Sequence, residues 1–286
     1  MTGRKSLPSM PRTGTNSGAN AAVWVQPILR WAGSKRQLVP NLLALLPIRF
    51  GKYYEPFAGS ACLFFAIHPP KAVLGDLNAD LIQAYEMLVR HPRKLARQAR
   101  DIGTSGLDYY GIRAMNPQDL DPITRAARFV YLNRNCFNGL YRTNRLGAFN
   151  VPLGTKTGSM PAEDQFYRCA FALRGVQLRA LDYSNTIADA KSGDFVYMDP
   201  PYKTARRNHG EYGYGVFSEV DLLRFAEDAR RLDKAGATVL ISYAVDRRLV
   251  KLLAGWSKIT VKVRRRVAGA PAHRTVAREM ILTNLA

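Results

Sequence analysis

The stretch Asp194-Phe-Val-Tyr-Met-Asp-Pro-Pro-Tyr202 constrains the fold more than any other part of the chain. Phe195 to Met198 favour a pleated strand, and the two prolines after Asp199 remove two successive backbone donors, so the strand must end there. Asp199, the carbonyl of Pro200 and the ring of Tyr202 are therefore expected together at one stiff strand tip. A strand terminator with a core tyrosine would need no more than this. The same groups also suit the exocyclic amine of a nucleobase: the carboxylate and the bare carbonyl accept its two N–H bonds while the ring stacks on the base face.

Three other stretches bear on that choice. In Lys52-Tyr-Tyr-Glu-Pro-Phe-Ala-Gly-Ser60, followed by the apolar Ala61 to Ile67, the order is strand, small-residue turn and helix. That order is used by nucleotide-binding α/β folds, with Gly59 allowing a close approach at the helix start. The full G-x-G-x-x-G spacing is missing, which favours a ligand without a pyrophosphate. A second unit, Ala72-Val-Leu-Gly-Asp76, ends in an acid suited to a ribose diol, with Asn78 as the cap of a helix from Ala79 to Val89. Upstream, in Pro27-Ile-Leu-Arg-Trp-Ala-Gly-Ser-Lys35, Gly33 permits backbone approach, Ser34 is a candidate helix cap, and Lys35 suits a ligand carboxylate. The plainer alternative is a core Trp31 with a solvated Lys35.

Charge narrows the partner. With 42 Lys and Arg against 22 Asp and Glu, the net charge of +20 points to a polyanion. No apolar run of about 18 residues and no long basic amphipathic helix supports a membrane, which leaves nucleic acid. Cys62, Cys136 and Cys169 are too few and scattered for a disulfide framework or a zinc site, so a reduced, cytoplasmic, metal-free protein is expected. Residues 1–22, polar and without an apolar core, read as a disordered tail.

Between residues 84 and 170 strand signals give way to helical ones: His91 to Asp101, Asp121-Pro122 to about Asn133, and Pro161 to Leu173. Among them, a loop or hairpin at about 134–154 interleaves Arg134, Arg142 and Arg145 with Phe137, Tyr141, Phe149 and several asparagines. Arg and Asn pair bidentately with guanine and adenine edges, and an exposed aromatic can wedge into a base step. Strand signals resume at Val176–Leu181, Phe195–Met198, Ala237–Tyr243, Ile259–Val263 and Met280–Asn284, with a helix from Ser218 to Lys234. With Tyr53–Pro56 and Ala72–Leu74 they make seven strands, one Rossmann-like α/β sheet whose carboxyl ends carry Gly59, Asp76, Asp182 and Asp199. The expected division is a catalytic domain of 23–83 with 171–286, interrupted by an inserted, mainly helical unit at 84–170. The loop 203–215 reads as a lid, and Arg264 to Arg266 with Arg274 as a phosphate-binding patch.

Taken in order, Trp31-Ala-Gly-Ser-Lys35, Glu55-Pro-Phe-Ala-Gly59, Gly75-Asp76-Leu77-Asn78, Tyr131-Leu-Asn-Arg134, Phe137-Asn-Gly-Leu-Tyr-Arg142, Gly147-Ala-Phe-Asn-Val-Pro152 and Asp199-Pro-Pro-Tyr202 resemble the Dam family of DNA adenine-N6 methyltransferases. So does Val261 to Arg266, and the likeness runs from about residue 27 to the C-terminus. The resemblance implies S-adenosylmethionine as cofactor. It implies Trp31, Gly33 and Lys35 around the methionine end, Phe57 and Gly59 beneath it, Asp76 on the ribose, and Asp182 with Tyr183 near its adenine. The insertion becomes a target recognition domain acting on double-stranded DNA through Phe137, Asn138 and Arg142. Arg30 and Arg142 become guanine contacts, Phe137 sits beside the flipped adenine, and the implied target is GATC. The family often carries Lys where this chain has Arg30 and Tyr where it has Phe137. Two rivals remain: methylation of RNA or of a protein glutamine amide, and a catalytically silent DNA-binding protein on the same scaffold.

Overall fold

The computed structural model of the chain describes residues 24–144, 146–155, 159–202, 217–264 and 276–285. The expected tail, Arg145, the expected lid and the side chains of the basic patch at 264–266 and 274 lie outside the described residues and side chains.

Seven strands form one sheet: β1 (Tyr53–Glu55), β2 (Ala72–Gly75), β3 (Gln177–Arg179), β4 (Phe195–Met198), β5 (Thr238–Ala244), β6 (Ser257–Arg264) and β7 (Val276–Thr283). Their order is β3-β2-β1-β4-β5-β7-β6. The first five run parallel, and β7 enters antiparallel between β5 and β6. The helices are α1 (Val39–Leu43), α2 (Cys62–Ile67), α3 (Ala79–Arg90), α4 (Pro92–Asp101), α5 (Tyr109–Ala114), α6 (Pro122–Asn135), α7 (Glu163–Ala172), α8 (Tyr183–Thr186), α9 (Glu219–Lys234) and α10 (Arg247–Leu252).

Side chains alternate between the two sheet faces, and both faces are covered, so the parallel strands read as unbroken apolar runs. Tyr53, Leu74, Phe195, Tyr197, Leu240 and Ile281 join the layer that includes Phe64, Leu81 and Phe166 of α2, α3 and α7. Tyr54, Val73, Val196, Met198, Val239 and Ile241 join the opposite layer, with Leu222, Phe225 and Leu232 of α9. Local signals hold the ends. Asn78 accepts the amide of Leu81, Asp121 accepts those of Ile123 and Thr124 ahead of Pro122, and Ser218 forms a capping box with Asp221.

The chain leaves β1 for β2 and β3 on one side and returns to β4 on the other. The direction of winding therefore reverses between β1 and β4, where ligands of open α/β sheets bind at the carboxyl ends. Helices α4 to α7 lie between β2 and β3 in the chain, and α4 packs on α6 and α7. Residue 84, an expected boundary, falls inside α3. The segment after α6 folds back through bridges between Cys136 and Leu153 and between Thr143 and Phe149, so it is an irregular hairpin rather than a full ladder. Tyr109, Ile112, Leu132, Cys136 and Val151 form a small separate core beneath it.

One expected cap is absent. Ser34 makes no side-chain bond to the turn that follows; its hydroxyl instead lies 3.0 Å from the Cys62 thiol and accepts from Ser60 at 3.3 Å. Lys35–Gln37 is a single 3-10 turn, too short to favour the cap that a longer helix would recruit.

Candidate active site

Strand β4 ends where the two prolines require, and the side chain of Asp199 turns into a polar cluster. Its Oδ1 accepts from the Lys35 ammonium at 2.8 Å and from the Ser242 hydroxyl at 2.9 Å. The same ammonium donates to the Gly33 carbonyl at 2.9 Å and lies 4.9 Å above the Tyr202 ring, a cation–π distance. Tyr202 meets Tyr243 edge to face, with centroids 5.3 Å apart. Burial pushes the Asp199 carboxyl above its ordinary value, while Lys35 and Ser242 pull it back and Glu279 adds to the rise. Lys35 is thus buried against Asp199 rather than solvated, which the sequence could not reveal because its partner lies 164 positions away.

A second acid sits on β1. Glu55 is buried, its Oε2 accepting from the Tyr53 hydroxyl at 2.8 Å and the Phe64 amide at 3.2 Å. Burial pushes it up to about 8, against these two hydrogen bonds, which favours its protonated form.

Beside this cluster, the ends of β1 and β2 form a second group. Asp76 accepts the amide of Gly59 on Oδ2 at 3.0 Å and that of Asn78 on Oδ1 at 2.9 Å. Burial raises it to about 6 despite these amides. Gly59 has φ +47°, and a Cβ there would stand 2.7 Å from Cδ1 of Trp31, so the close approach it permits is that of the indole. Trp31 in turn stacks on Tyr141 at 6.2 Å, tying this turn to the hairpin. Phe57, packed in the opposite layer, stacks on Tyr183 at 5.1 Å. Asp182 caps α8 through the Ser184 amide and grips Arg224 with both oxygens, at 3.1 and 2.9 Å. The guanidinium of Arg224 lies 4.6 Å from the Tyr183 ring centre. A carboxylate offers about four acceptor positions, and each oxygen of Asp76 takes one of these two amides, so the acceptor positions left over fit the two hydroxyls of a ribose diol.

Arg30 joins this region to the hairpin. Its amide donates to Asn133 Oδ1 at 2.8 Å, Asn133 Nδ2 returns a bond to its carbonyl at 2.5 Å, and its guanidinium reaches the Arg134 carbonyl at 3.2 Å. Gly139, at φ +65°, has no room for a Cβ, which would meet that of Arg30 at 2.8 Å. Phe137 packs on the small core beneath the hairpin and Asn138 takes φ +55°. Arg142 donates to the Asn150 side chain at 2.8 Å, which orients its guanidinium across the hairpin.

Arg134 corrects the sequence reading, which grouped it with base-reading arginines. It donates to the Ser159 carbonyl through two nitrogens and to the Ile28 carbonyl at 3.3 Å. Burial and the neighbouring Arg30 lower it to about 10, and its donors serve the fold. Sequence reasoning also missed Tyr197, Ser242 and Asn133. The one available signal was a lone serine within the apolar run Ala237 to Tyr243.

Residues 31–267 match the family described as D12 class N6 adenine-specific DNA methyltransferase. The chain belongs to this family. It is 34% identical over 221 residues to a DNA adenine methylase of Serratia marcescens, covering 75% of this chain and 82% of that one. It is 33% identical over 250 residues to the type II methyltransferase M.MjaIII of Methanocaldococcus jannaschii, covering 78% and 86%. A type II methyltransferase, M1.LlaDCHI of Lactococcus lactis subsp. cremoris, is 28% identical over 271 residues, covering 91% and 95%. This D12 methyltransferase is thus an adenine-specific DNA methyltransferase, and its class uses S-adenosylmethionine. The matched segment contains both Asp76 and Asp199. No helix among its described residues is long and apolar enough to cross a membrane.

Proposed function

We propose that the enzyme methylates N6 of an adenine flipped out of duplex DNA, within GATC, at a site built on Asp199, Pro200 and Tyr202. The observation that carries this reading is the state of Asp199: Oδ1 holds both Lys35 and Ser242, and no hydrogen bond to Oδ2 is present among the described residues. Oδ2 and the Pro200 carbonyl accept the two N6–H bonds, which draws the amine towards a tetrahedral, nucleophilic nitrogen. Tyr202 stacks on the extruded base and offsets part of the few kcal/mol that flipping costs.

S-adenosylmethionine supplies an electrophilic methyl group on a sulfonium. Asp76 accepts the ribose hydroxyls, Trp31, Gly33 and Lys35 surround the methionine end, and Phe57 and Gly59 line the base of the site. Asp182 and Tyr183 border the adenine of the cofactor. Asp199 need not remove a proton before attack, because methylation itself makes the nitrogen acidic. Arg30 and Arg142 contact guanines, Asn138 and Arg145 support the hairpin on DNA, and Phe137 stands beside the extruded adenine. Residues 84–170 act as the target recognition domain, and the enzyme works on DNA in the cytoplasm.

Asp199→Ala should abolish methyl transfer while retaining DNA binding, measured by tritium incorporation and by gel shift. Near-normal turnover in that variant would remove Asp199 from the reaction. Sequencing the methylated positions in DNA from an expressing host should return adenines in GATC, and any other motif would reassign the target.

A further inference from the structure

Asp199 lies one step beyond the β4–β5 ladder, whose last pair is Met198 with Ile241, so the register continues to Asp199 beside Ser242. Tyr197, two residues earlier on β4, shares its sheet face with Leu240 and Ile281. By strand alternation Asp199 and Ser242 lie on that same face. The Tyr197 hydroxyl is 2.8 Å from Ser242 Oγ, and Ser242 Oγ is 2.9 Å from Asp199 Oδ1. Tyr197 and Ser242 are both buried.

The direction of this chain is fixed by proton count. A serine has one O–H, and here it donates to the carboxylate, so Oγ must accept from Tyr197. The phenol therefore donates to the serine and the serine to Asp199, an ordered file of two protons inside the sheet. Lys35 approaches the same oxygen from the turn outside it.

We propose that Tyr197 and Ser242 are positioning residues for methyl transfer: a buried hydroxyl relay that, with Lys35, occupies Oδ1 of Asp199 and reserves Oδ2 for the adenine amine. Without the relay the carboxylate can rotate about its Cβ–Cγ bond and divide either oxygen between Lys35 and substrate. With it, one rotamer is held, and the acceptor is in place before the base arrives. The proposal rests on the assignment of Asp199 as the acceptor of the amine.

The other charged or titratable groups around Asp199 bear on its test. Lys35 and Ser242 favour the ionised carboxylate, and Glu279 on β7 opposes it. Glu55 on β1, raised to about 8 by burial, also feels the Asp199 charge and titrates towards the alkaline end of the range. Tyr197 is held well above the usual phenol range and stays protonated throughout, and among the described residues Tyr202 lies beneath the Lys35 ammonium. Loss of the serine donor should therefore move the ionisation of Asp199 upward.

The experiment compares Ser242→Ala, Tyr197→Phe and the double variant with wild type in single-turnover methylation of a duplex from pH 5 to 9. Asp199→Ala serves as control. Ser242→Ala should slow transfer about 10- to 100-fold, the loss of one hydrogen bond to a charged group, with KM for DNA and for S-adenosylmethionine unchanged. Its acid limb should move to higher pH. Tyr197→Phe should do the same more weakly, and in the Ser242→Ala background it should add nothing, because the phenol acts through the serine. An unshifted acid limb in Ser242→Ala, or a Tyr197→Phe effect that multiplies with it, overturns the relay. Thermal melts identify a variant that has failed to fold, and Tyr197→Phe, which removes one atom, then decides by its acid limb alone. If Asp199→Ala stays active the site assignment itself fails; if it is inactive while Ser242→Ala resembles wild type, only the relay fails.

Discussion

Asp76 meets the rest of the chain through two backbone amides, from Gly59 and Asn78, yet burial still raises it from 3.8 to about 6. A ribose diol donates to a carboxylate more strongly than to a carboxylic acid. The raised value means Asp76 takes up its proton below about pH 6, where the unfolded chain would still be ionised, so cofactor affinity should be full above pH 7 and fall as pH drops through about 6. Calorimetric titration with S-adenosylmethionine at pH 5 to 8 should show this, approaching tenfold per unit at the acid end. Asp76→Asn should bind weakly with no such slope in that window, and an unaltered slope would assign the titration to another group. Asp76 and Asp199 were legible in the sequence because each closes a short apolar run. The bond of Lys35 to Asp199, and Ser242 and Tyr197 altogether, were not, because they depend on partners that only the fold brings together.

At the scale of the element, α6 and the hairpin carry two arginines eight residues apart that face different tasks. Arg134 donates to carbonyls of Ile28 and Ser159, binding the end of α6 to the segment ahead of α1 and to the segment ahead of α7. Arg142 is oriented by Asn150 on the opposite arm of the hairpin. Arg134→Ala should cost about 1 kcal/mol of stability, because it removes the hydrogen bonds to the carbonyls of Ile28 and Ser159, and should leave the choice of target sequence intact. Arg142→Ala should leave the melting temperature within a degree or two. It should cost about 1–3 kcal/mol of binding at cognate sites and relax choice at one base. Equal loss on random DNA would make Arg142 a phosphate contact. Composition marked both residues as basic and interleaved with aromatics, but it could not separate them. Helix ends were legible at Asn78, Asp121-Pro122 and Ser218, where a cap or proline acts locally; the sequence reading failed at Ser34, where the helix is a single turn, and passed over the caps Asp108 and Asp246 of the short helices α5 and α10.

At the scale of the whole molecule the seven strands could be counted from the sequence, but the insertion of β7 between β5 and β6 could not, since antiparallel pairing across that distance leaves no local mark. The charge excess of +20 was plain, and the structure adds how it is distributed. Many of the acids are already engaged: Asp80 with Arg125, Asp182 with Arg224, Asp189 with Arg179 and Lys52, Glu163 with Arg93 and Arg100, and Glu219 with Arg248. These contacts neutralise the acids locally, so the remaining cations, among them exposed Lys94 and Arg97 on α4, set the outer field. Displacing counterions from DNA with six or more such charges should lower affinity at least about 10³-fold between 50 and 200 mM salt. Fluorescence anisotropy with a non-cognate duplex measures this directly. The ratio of cognate to non-cognate affinity should change far less over the same range, because it rests on base-edge contacts that release few ions. A shallow slope on both duplexes would mean that the charge excess faces away from the DNA, and the electrostatic part of the binding argument would then fall while the chemistry at Asp199 stood.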